Sequence, residues 1–262
     1  MAFEIDRYAH IASPLARWDA RIKIAALGVV ILAISLLQTI PFALVALLLA
    51  GGLLLLARLP WELVAGGVRW LLLFLVPFFI IMPLSYPGET DLHVLGLPVA
   101  IEGVRLATLI VLKAMAIALT AYATFGTSRF DVAMIALQHL KVPRLFVQML
   151  LFTYRYIFVF VAELRRRETA MKARGFVPQG NLQTLRTYGN FVGTLLVRSF
   201  ERTDRIYKAM LSKGYEGEYR TLTSFAATGS DWIKAGLILT AAAALFFADH
   251  AGIFAPAAQG WT

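Results

Sequence analysis

Five stretches of the chain are almost entirely apolar, and each is long enough to cross a lipid bilayer as a helix. A spanning helix needs roughly 20 mostly apolar residues. Apolar residues make up 59% of the chain, against ~45–50% in a typical soluble domain. The sequence therefore predicts an all-α, polytopic membrane protein with five transmembrane helices, at about Ile22–Gln38, Pro41–Ala57, Trp70–Tyr86, Val104–Phe125 and Trp232–Ala248.

The charged residues between these stretches predict how the helices are oriented. Lysine and arginine favour the cytoplasmic side of a membrane. Arg17 and Lys23 lie at the start of the first stretch, and Arg58 and Arg69 flank the loop between the second and third. The loop Pro87–Gly103 contains acidic residues and no lysine or arginine. We therefore expect a cytoplasmic N-terminus and a C-terminus on the outside.

Most of the positive charge lies in one segment. The net charge is +9, and sixteen of the 25 lysines and arginines lie between Arg129 and Arg220. This confinement argues against a nucleic-acid-binding protein and predicts a cytoplasmic domain of about three helices. The predicted division is residues 1–125 for the N-terminal segment and four membrane helices, 126–230 for the cytoplasmic helices, and 231–262 for the last membrane helix and tail. The predicted cytoplasmic helices are Ser128–Leu140, Pro143–Arg174 and Leu182–Lys213.

The stretch Leu145–Ala162 within the second cytoplasmic helix is apolar enough to be an additional span. If it crossed the membrane, the basic residues of segment 165–220 would lie outside, against the usual charge bias. We therefore expect this helix to lie at the cytoplasmic interface, and a spanning helix remains the alternative. One stripe of residues at helical spacing on each helix predicts that the second cytoplasmic helix packs on the third. The stripes are Ile157, Leu164 and Met171 on the second helix and Phe200, Thr203, Tyr207 and Met210 on the third.

Two short segments of the basic block are near copies of each other. Ala170–Phe176 and Ala209–Tyr215 start 39 residues apart, and each contains a methionine, then a cation, a glycine and an aromatic residue. Glycine commonly follows the last residue of a helix, and a cation is favoured there by the helix dipole. The intervening helix would separate the two tips by roughly 40–50 Å. That separation favours two copies of a partner over one small ligand, although two ordinary helix ends are the alternative.

These paired tips, the basic helices before them and the N-terminal stretch Ser13–Lys23 resemble the transmembrane (T) component of energy-coupling factor transporters. The closest resemblance is to the cobalt/nickel-uptake subfamily. It implies a non-catalytic subunit in the inner (plasma) membrane of a bacterium, with cobalt preferred over nickel as cargo. The implied partners are two ABC-type ATPase subunits and a membrane-embedded substrate-binding subunit. The resemblance implies no cofactor in this chain, because ATP is bound by the ATPases.

The resemblance also implies which residues couple the chain to the ATPases. In that family an Ala-Arg-Gly tip docks in a groove of each ATPase, where the arginine pairs with acidic side chains. Lysine at the second tip keeps the charge but lacks the bidentate fork of arginine, so that tip departs from the pattern. The coupling residues implied are Ala173, Arg174 and Gly175 at the first tip and Ser212, Lys213 and Gly214 at the second.

Other chemistry has little support in the sequence. The chain has no cysteine, which excludes disulfides and thiolate metal sites, and it has no glycine-rich phosphate-binding loop. The charge of Lys113, near the middle of the fourth stretch, is interpreted as structural, although a charge inside a membrane is by default a functional candidate. A membrane scaffold and a stand-alone secondary transporter remain alternatives. The histidines are scattered and are not predicted to bind metal: His10, His93, His139 and His250.

Overall fold

The computed structural model of the chain describes residues 13–85, 92–94, 97–217 and 225–251. Within those ranges the fold consists of helices and one short antiparallel hairpin, Leu92–Val94 (β1) with Leu97–Val99 (β2). The acidic residues Glu89 and Asp91 of the predicted outer loop lie outside the described residues. The helices are α1 (Ala20–Leu36), α2 (Ile40–Ala57), α3 (Trp61–Ser85), α4 (Ile101–Phe125), α5 (Phe130–His139), α6 (Arg144–Ala173), α7 (Leu182–Ser212) and α8 (Gly229–His250).

In the described part of the chain, five helices are long and apolar enough to cross a membrane: α2, α3, α4, α6 and α8. The predicted all-α class is confirmed, and the number of candidate spans equals the predicted five, but α6 stands among them in place of α1. Helix α6 has the required length and hydropathy, whereas α1 has 17 residues and lies at the lower limit of ~17 residues for a span. Helix α3 begins at Trp61, nine residues before the predicted start at Trp70, because Pro60 suits the position just before a helix and Glu62 suits its first turn.

The chain separates into two compact units. One consists of Met1–Val142 with Ser224–Thr262 and contains α1–α5 and α8, and the other is Pro143–Thr223 and contains α6 and α7. The division predicted from sequence at residues 126 and 230 concerned the side of the membrane and stays a prediction.

The first unit packs through small side chains. Helix α2 buries Ala43, Ala46, Ala50 and Ala57, which follow one another at intervals of three, four and seven residues along one face. Against that face lie small residues of α4, including Ala116 beside Ala50. Large side chains point outward instead, as shown by Leu48 and Leu55 on α2. Lipid gives no hydrophobic drive to helix association, so close backbone approach at small residues is the expected means of packing.

Helices α3 and α4 approach each other closely at Gly103. A methyl group placed on Gly103 would lie 2.6 Å from the carbonyl oxygen of Met82 and from the Cα of Pro83. The Ala100 N–H donates to the Pro83 carbonyl at 3.1 Å. That carbonyl lacks its normal helical donor, since residue 87 is a proline and has no N–H. The backbone N–H of Ala100, just before α4, therefore supplies the hydrogen-bond donor that the last turn of α3 lacks.

The N-terminal stretch Ser13–Lys23 is a buried part of the first unit. The Lys23 side chain is 1% exposed, and its ammonium donates to the Leu15 carbonyl at 3.3 Å and to Thr127 Oγ1 at 3.0 Å. Trp18 packs with Ala26 of α1 and Ala235 of α8. The Asp19 carboxylate caps α1 by accepting from the Arg21 N–H. These contacts hold the segment before α1 against the junction of α4 and α5.

A second polar contact closes the opposite end of α1. The Lys113 ammonium donates to the Leu37 carbonyl at 2.7 Å, at the C-terminal end of α1. The Asp249 carboxylate accepts from the Gln38 N–H at 2.6 Å and from the Thr39 hydroxyl, and it attracts Lys113 electrostatically. Lys113 therefore donates to the end of α1, a structural contact whose acidic neighbour Asp249 the sequence did not indicate.

The contact between Lys23 and Thr127 predicts a loss of stability in Thr127→Val. Valine keeps the shape of the side chain but removes the acceptor at 3.0 Å from a buried ammonium. Leaving a buried charged donor short of a partner should reduce the free energy of unfolding by about 2 kcal/mol. Thermal unfolding in detergent micelles measures this loss. Thr108→Val is the matched control, because its exposed hydroxyl bonds only to the Val104 carbonyl of its own helix. Equal melting temperatures for the two variants would contradict the prediction.

Candidate functional site

The two helices of the second unit run antiparallel. Residues early in α6 contact residues late in α7: the Tyr215 hydroxyl, just after α7, donates to Gln148 Oε1 at 3.2 Å. At the other end, the Phe176 ring, just after α6, meets the Tyr188 ring edge-on, with centroids 5.7 Å apart. Consecutive helices joined by a short turn pack in this way. Each helix therefore ends beside the first half of the other.

The faces that meet differ from the two predicted stripes. Along α7 the half-buried positions include Ser199, Arg202, Ile206 and Met210, whereas Phe200 is 82% exposed. Along α6 they include Phe152, Tyr156, Phe160, Glu163, Arg167 and Met171. Of the predicted stripes, Met171 is half-buried, and Thr203, Tyr207 and Met210 line a cleft together with residues of α6. Ile157, Leu164 and Phe200 are exposed instead. The prediction failed at these three positions because it followed the apolar residues, whereas polar residues occupy the middle of the contact.

An ionic contact at Glu163 joins the two helices at their middle. One carboxylate oxygen accepts from Arg167 of the same helix at 2.9 Å, and the other lies 3.8 Å from Arg202 of α7. Arg166 and Arg198 line the same depression. Solvent reaches this cluster, so each pair contributes ~1 kcal/mol or less. Its main effect is geometric, since one carboxylate on α6 attracts arginines on both helices.

The first predicted tip forms a regular helix ending at the end of α6. The Phe176 N–H donates to the Met171 carbonyl at 3.1 Å, and the Gly175 N–H donates to the Lys172 carbonyl at 3.0 Å. These are the two hydrogen bonds of a Schellman motif. Gly175 has φ of +80°, the left-handed conformation that favours glycine. Arg174 is the last residue before the turn and is exposed.

The second predicted tip has the same backbone geometry at the end of α7. The Tyr215 N–H donates to the Met210 carbonyl at 3.0 Å, and the Gly214 N–H donates to the Leu211 carbonyl at 2.9 Å. Gly214 also has φ of +80°, and Lys213 occupies the position of Arg174. The two segments are therefore similar in backbone structure as well as in amino-acid sequence.

The two tips lie at opposite ends of the helix pair. The first tip is beside Tyr188, and from there α7 continues without a break to Lys213. At 1.5 Å rise per residue this distance is about 38 Å. Gly189 and Gly193 do not interrupt the helix. The structure thus separates Ala173, Arg174 and Gly175 from Ser212, Lys213 and Gly214, as expected of two docking points rather than one binding site.

Both cations are free to meet a partner. Arg174 and Lys213 are exposed, and within the described ranges neither side chain forms a hydrogen bond or an ion pair. The nearby lysines differ, since Lys172 pairs with Glu168 at 2.7 Å and Lys208 pairs with Asp204 at 2.6 Å. A guanidinium beside the carboxyl end of a helix suits a bidentate carboxylate, and an ammonium suits a single acceptor.

No group of three or more metal-ligating side chains occurs among the described residues. The His139 ring packs edge-on against Phe225, and His250 Nδ1 lies 3.1 Å from the Phe246 carbonyl oxygen. His10 lies outside the described residues, and the side chain of His93 is likewise not described.

Comparison with known proteins gives matches over most of the chain. The sequence profile of the cobalt transport protein family CbiQ matches residues 12–224. The cobalt transport protein CbiQ of Rhodobacter capsulatus is 27% identical over 154 residues, which cover 58% of this chain and 62% of that protein. An uncharacterized protein of Methanocaldococcus jannaschii is 25% identical over 229 residues, covering 82% of this chain and 76% of its own length. A second protein of that organism is 30% identical over 86 residues, 32% of this chain and 31% of its own length.

The left-handed glycines predict that alanine will loosen each tip locally. A non-glycine residue in this conformation costs about 1–2 kcal/mol, and nothing lies within 4 Å of the positions where the added methyl groups would sit. Gly175→Ala and Gly214→Ala should therefore speed hydrogen exchange at Phe176 and Tyr215 by about ten-fold. Exchange followed by mass spectrometry measures this effect.

Gly180→Ala is the control, because Gly180 lies in the turn between the helices and does not have a positive φ. Unchanged exchange at the tips in both test variants would show that the left-handed turn is not under the expected constraint.

Proposed function

Because the chain belongs to the CbiQ family of cobalt transport proteins, we propose that it is the coupling subunit of an energy-coupling factor transporter for cobalt. The family and the apolar helices already make it a membrane component of cobalt transport. The finer role is transmission of movement from ATPase subunits to a substrate-binding membrane subunit. The single observation that best supports this role is the pair of equivalent tips at Arg174 and Lys213.

The proposed partners are two ABC-type ATPase subunits, one for each tip. Two identical subunits present the same surface twice, so a chain that binds both must present similar structures at two positions. The matching hydrogen bonds, the matching φ of +80° and the matching exposed cations satisfy that requirement. Arg174 would pair with an acidic side chain through two parallel hydrogen bonds, and Lys213 through one. The first tip is therefore the stronger attachment.

The proposed mechanism is mechanical and requires no catalytic residue in this chain. ATP bound by the partner ATPases closes the two ATPases on each other, which displaces the tips relative to each other. The antiparallel helices α6 and α7 transmit that displacement, because each tip is attached to the other helix through Tyr188 or Gln148. The Glu163 contact would hold the pair together while it moves.

The remaining assignments follow from the same proposal. The N-terminus would be cytoplasmic, as the distribution of basic residues favours, and the protein would lie in the inner membrane of a bacterium, as the resemblance to coupling subunits implies. Helix α6 would lie at the cytoplasmic interface. Cobalt is the proposed cargo, since the family and the Rhodobacter relative are both described as cobalt transport proteins. Nickel is the second candidate, and the cargo would be recognised by the separate substrate-binding subunit.

Substitution of the two cations tests the proposed attachment. The ATPase bound to tagged full-length protein would be counted by pull-down from detergent-solubilised membranes. We expect Arg174→Ala and Lys213→Ala each to lose one of two ATPase copies, with the larger loss for Arg174→Ala, and the double variant to lose both. Uptake of radioactive cobalt should fall at least ten-fold in the double variant, because loss of one buried charged hydrogen bond costs about 1.5–3 kcal/mol.

Lys208→Ala is the matched control, since Lys208 is an exposed lysine of α7 that already has a partner. Equal ATPase retention by the double variant and this control would refute the attachment at the tips. Nickel uptake measured in the same cells would decide between the two metals.

Substitution of Glu163 tests the transmission separately from the attachment. Glu163→Gln removes the charge that joins Arg167 and Arg202. We expect both ATPases to remain bound and cobalt uptake to fall several-fold, because the middle of the helix pair would be held less firmly while the contacts at Tyr188 and Gln148 remain. Glu168→Gln is the control, since Glu168 pairs only within α6, with Lys172. A Glu163→Gln variant with uptake equal to that of the control would show that this contact does not transmit movement.

A further inference from the structure

A deep apolar groove runs along the first unit between α2 and α8. Its volume is about 860 Å³. Small side chains form its floor, among them Ala46 and Ala50 of α2 and Ala241 of α8. Large exposed side chains form its walls, including Leu55, which is 79% exposed, and Ile233. The groove therefore opens sideways, toward the hydrocarbon of the bilayer.

The length of the groove matches the acyl chains of one bilayer leaflet. The lining runs from Ala46 to Arg58 on α2 and from Ile233 to Leu245 on α8, about 18 Å at 1.5 Å per residue. Half of a bilayer's hydrocarbon core is about 15 Å thick.

One end of the groove is basic. Arg58 is the residue that ends α2, in a left-handed conformation with φ of 52°, and Lys234 lies in the second turn of α8. Both line the groove. The end of α2 and the start of α8 lie at the same end of the groove, because Ala57 packs with Leu15 and Ala235 packs with Trp18 of the same N-terminal stretch. The remaining lining is almost wholly apolar.

The two cations differ in whether a carboxylate of the chain already lies beside them. The Arg58 side chain is exposed and, in the described part of the chain, has no hydrogen bond or ion pair. Lys234 lies 3.5 Å from the Asp231 carboxylate, which also caps the start of α8 through Thr228. Positive charge therefore remains at the end of an apolar groove, where a zwitterionic headgroup would satisfy it less well than an anionic one.

We propose that the groove between α2 and α8 binds an anionic phospholipid, with its acyl chains along the alanine floor and its phosphate at Arg58 and Lys234. Basic pockets between membrane helices bind anionic headgroups through this combination of charge and apolar surface. The bound lipid fills the space between α2 and α8, which otherwise touch little. The proposal does not depend on the coupling function, because it concerns the first unit alone.

Lipid retention by the purified full-length protein tests the proposal. The protein would be equilibrated in mixed micelles with equal amounts of phosphatidylglycerol and phosphatidylcholine, separated by gel filtration, and its retained lipids measured by mass spectrometry. The wild type should retain phosphatidylglycerol in at least about five-fold excess, since each cation near a membrane surface contributes ~1 kcal/mol. Arg58→Gln combined with Lys234→Gln should reduce the ratio to about one.

Two further variants make the result specific. Arg69→Gln removes an exposed arginine of α3 that does not line the groove, and it should keep the wild-type lipid ratio. Ala241→Phe fills the floor and should lower the retention of both lipids while the protein stays monodisperse. Equal lipid ratios in the wild type and the double variant would overturn the proposal. So would an Ala241→Phe variant that releases a co-purified membrane subunit and keeps its lipid, because the groove would then be a protein interface.

Discussion

The close approach of helices at alanine is the constraint on which the first unit depends. Helices in lipid gain nothing by hiding apolar surface from an equally apolar solvent, so they associate only where their backbones come near. Ala50 and Ala57 on α2 and Ala116 and Ala123 on α4 provide that approach, and all four are buried. On α2 the exposed Leu48 and Leu55 point outward. The same use of small residues leaves a groove beside α8, where no large side chain fills the space.

Local features of this fold could be predicted well from sequence. Proline and glycine mark the start and end of α6, and the predicted end at Arg174 is one residue from the observed end. The equivalence of the tips was also predictable, because identical spacing of methionine, cation, glycine and aromatic residue gives identical hydrogen bonds. A Schellman ending depends on about six consecutive residues, so a short segment of sequence contains all the information it needs.

Features that depend on distant residues could not be predicted. Lys113 meets the end of α1 and the charge of Asp249, and these residues are adjacent only in the folded chain. The packing of α6 on α7 was assigned to apolar stripes, but Glu163 and Arg202 lie at the contact. Apolar periodicity predicts a buried face only when the face is covered by protein. Where a face of a helix pair is not covered by the chain itself, residues such as Phe200 stay exposed, and the rule fails.

The paired attachments at the ends of α6 and α7 have a consequence for how this chain tolerates change in length. One extra residue in a helix turns everything beyond it by about 100° and advances it by 1.5 Å. An extra residue inserted in α7 after Tyr188 would leave Phe176 against Tyr188. It would turn Lys213 to another side of the helix and move Tyr215 away from Gln148. Substitutions on the exposed faces would leave this register intact. The number of residues between the tips must therefore stay constant. Substitutions in this segment leave that number unchanged, whereas a single insertion or deletion alters it.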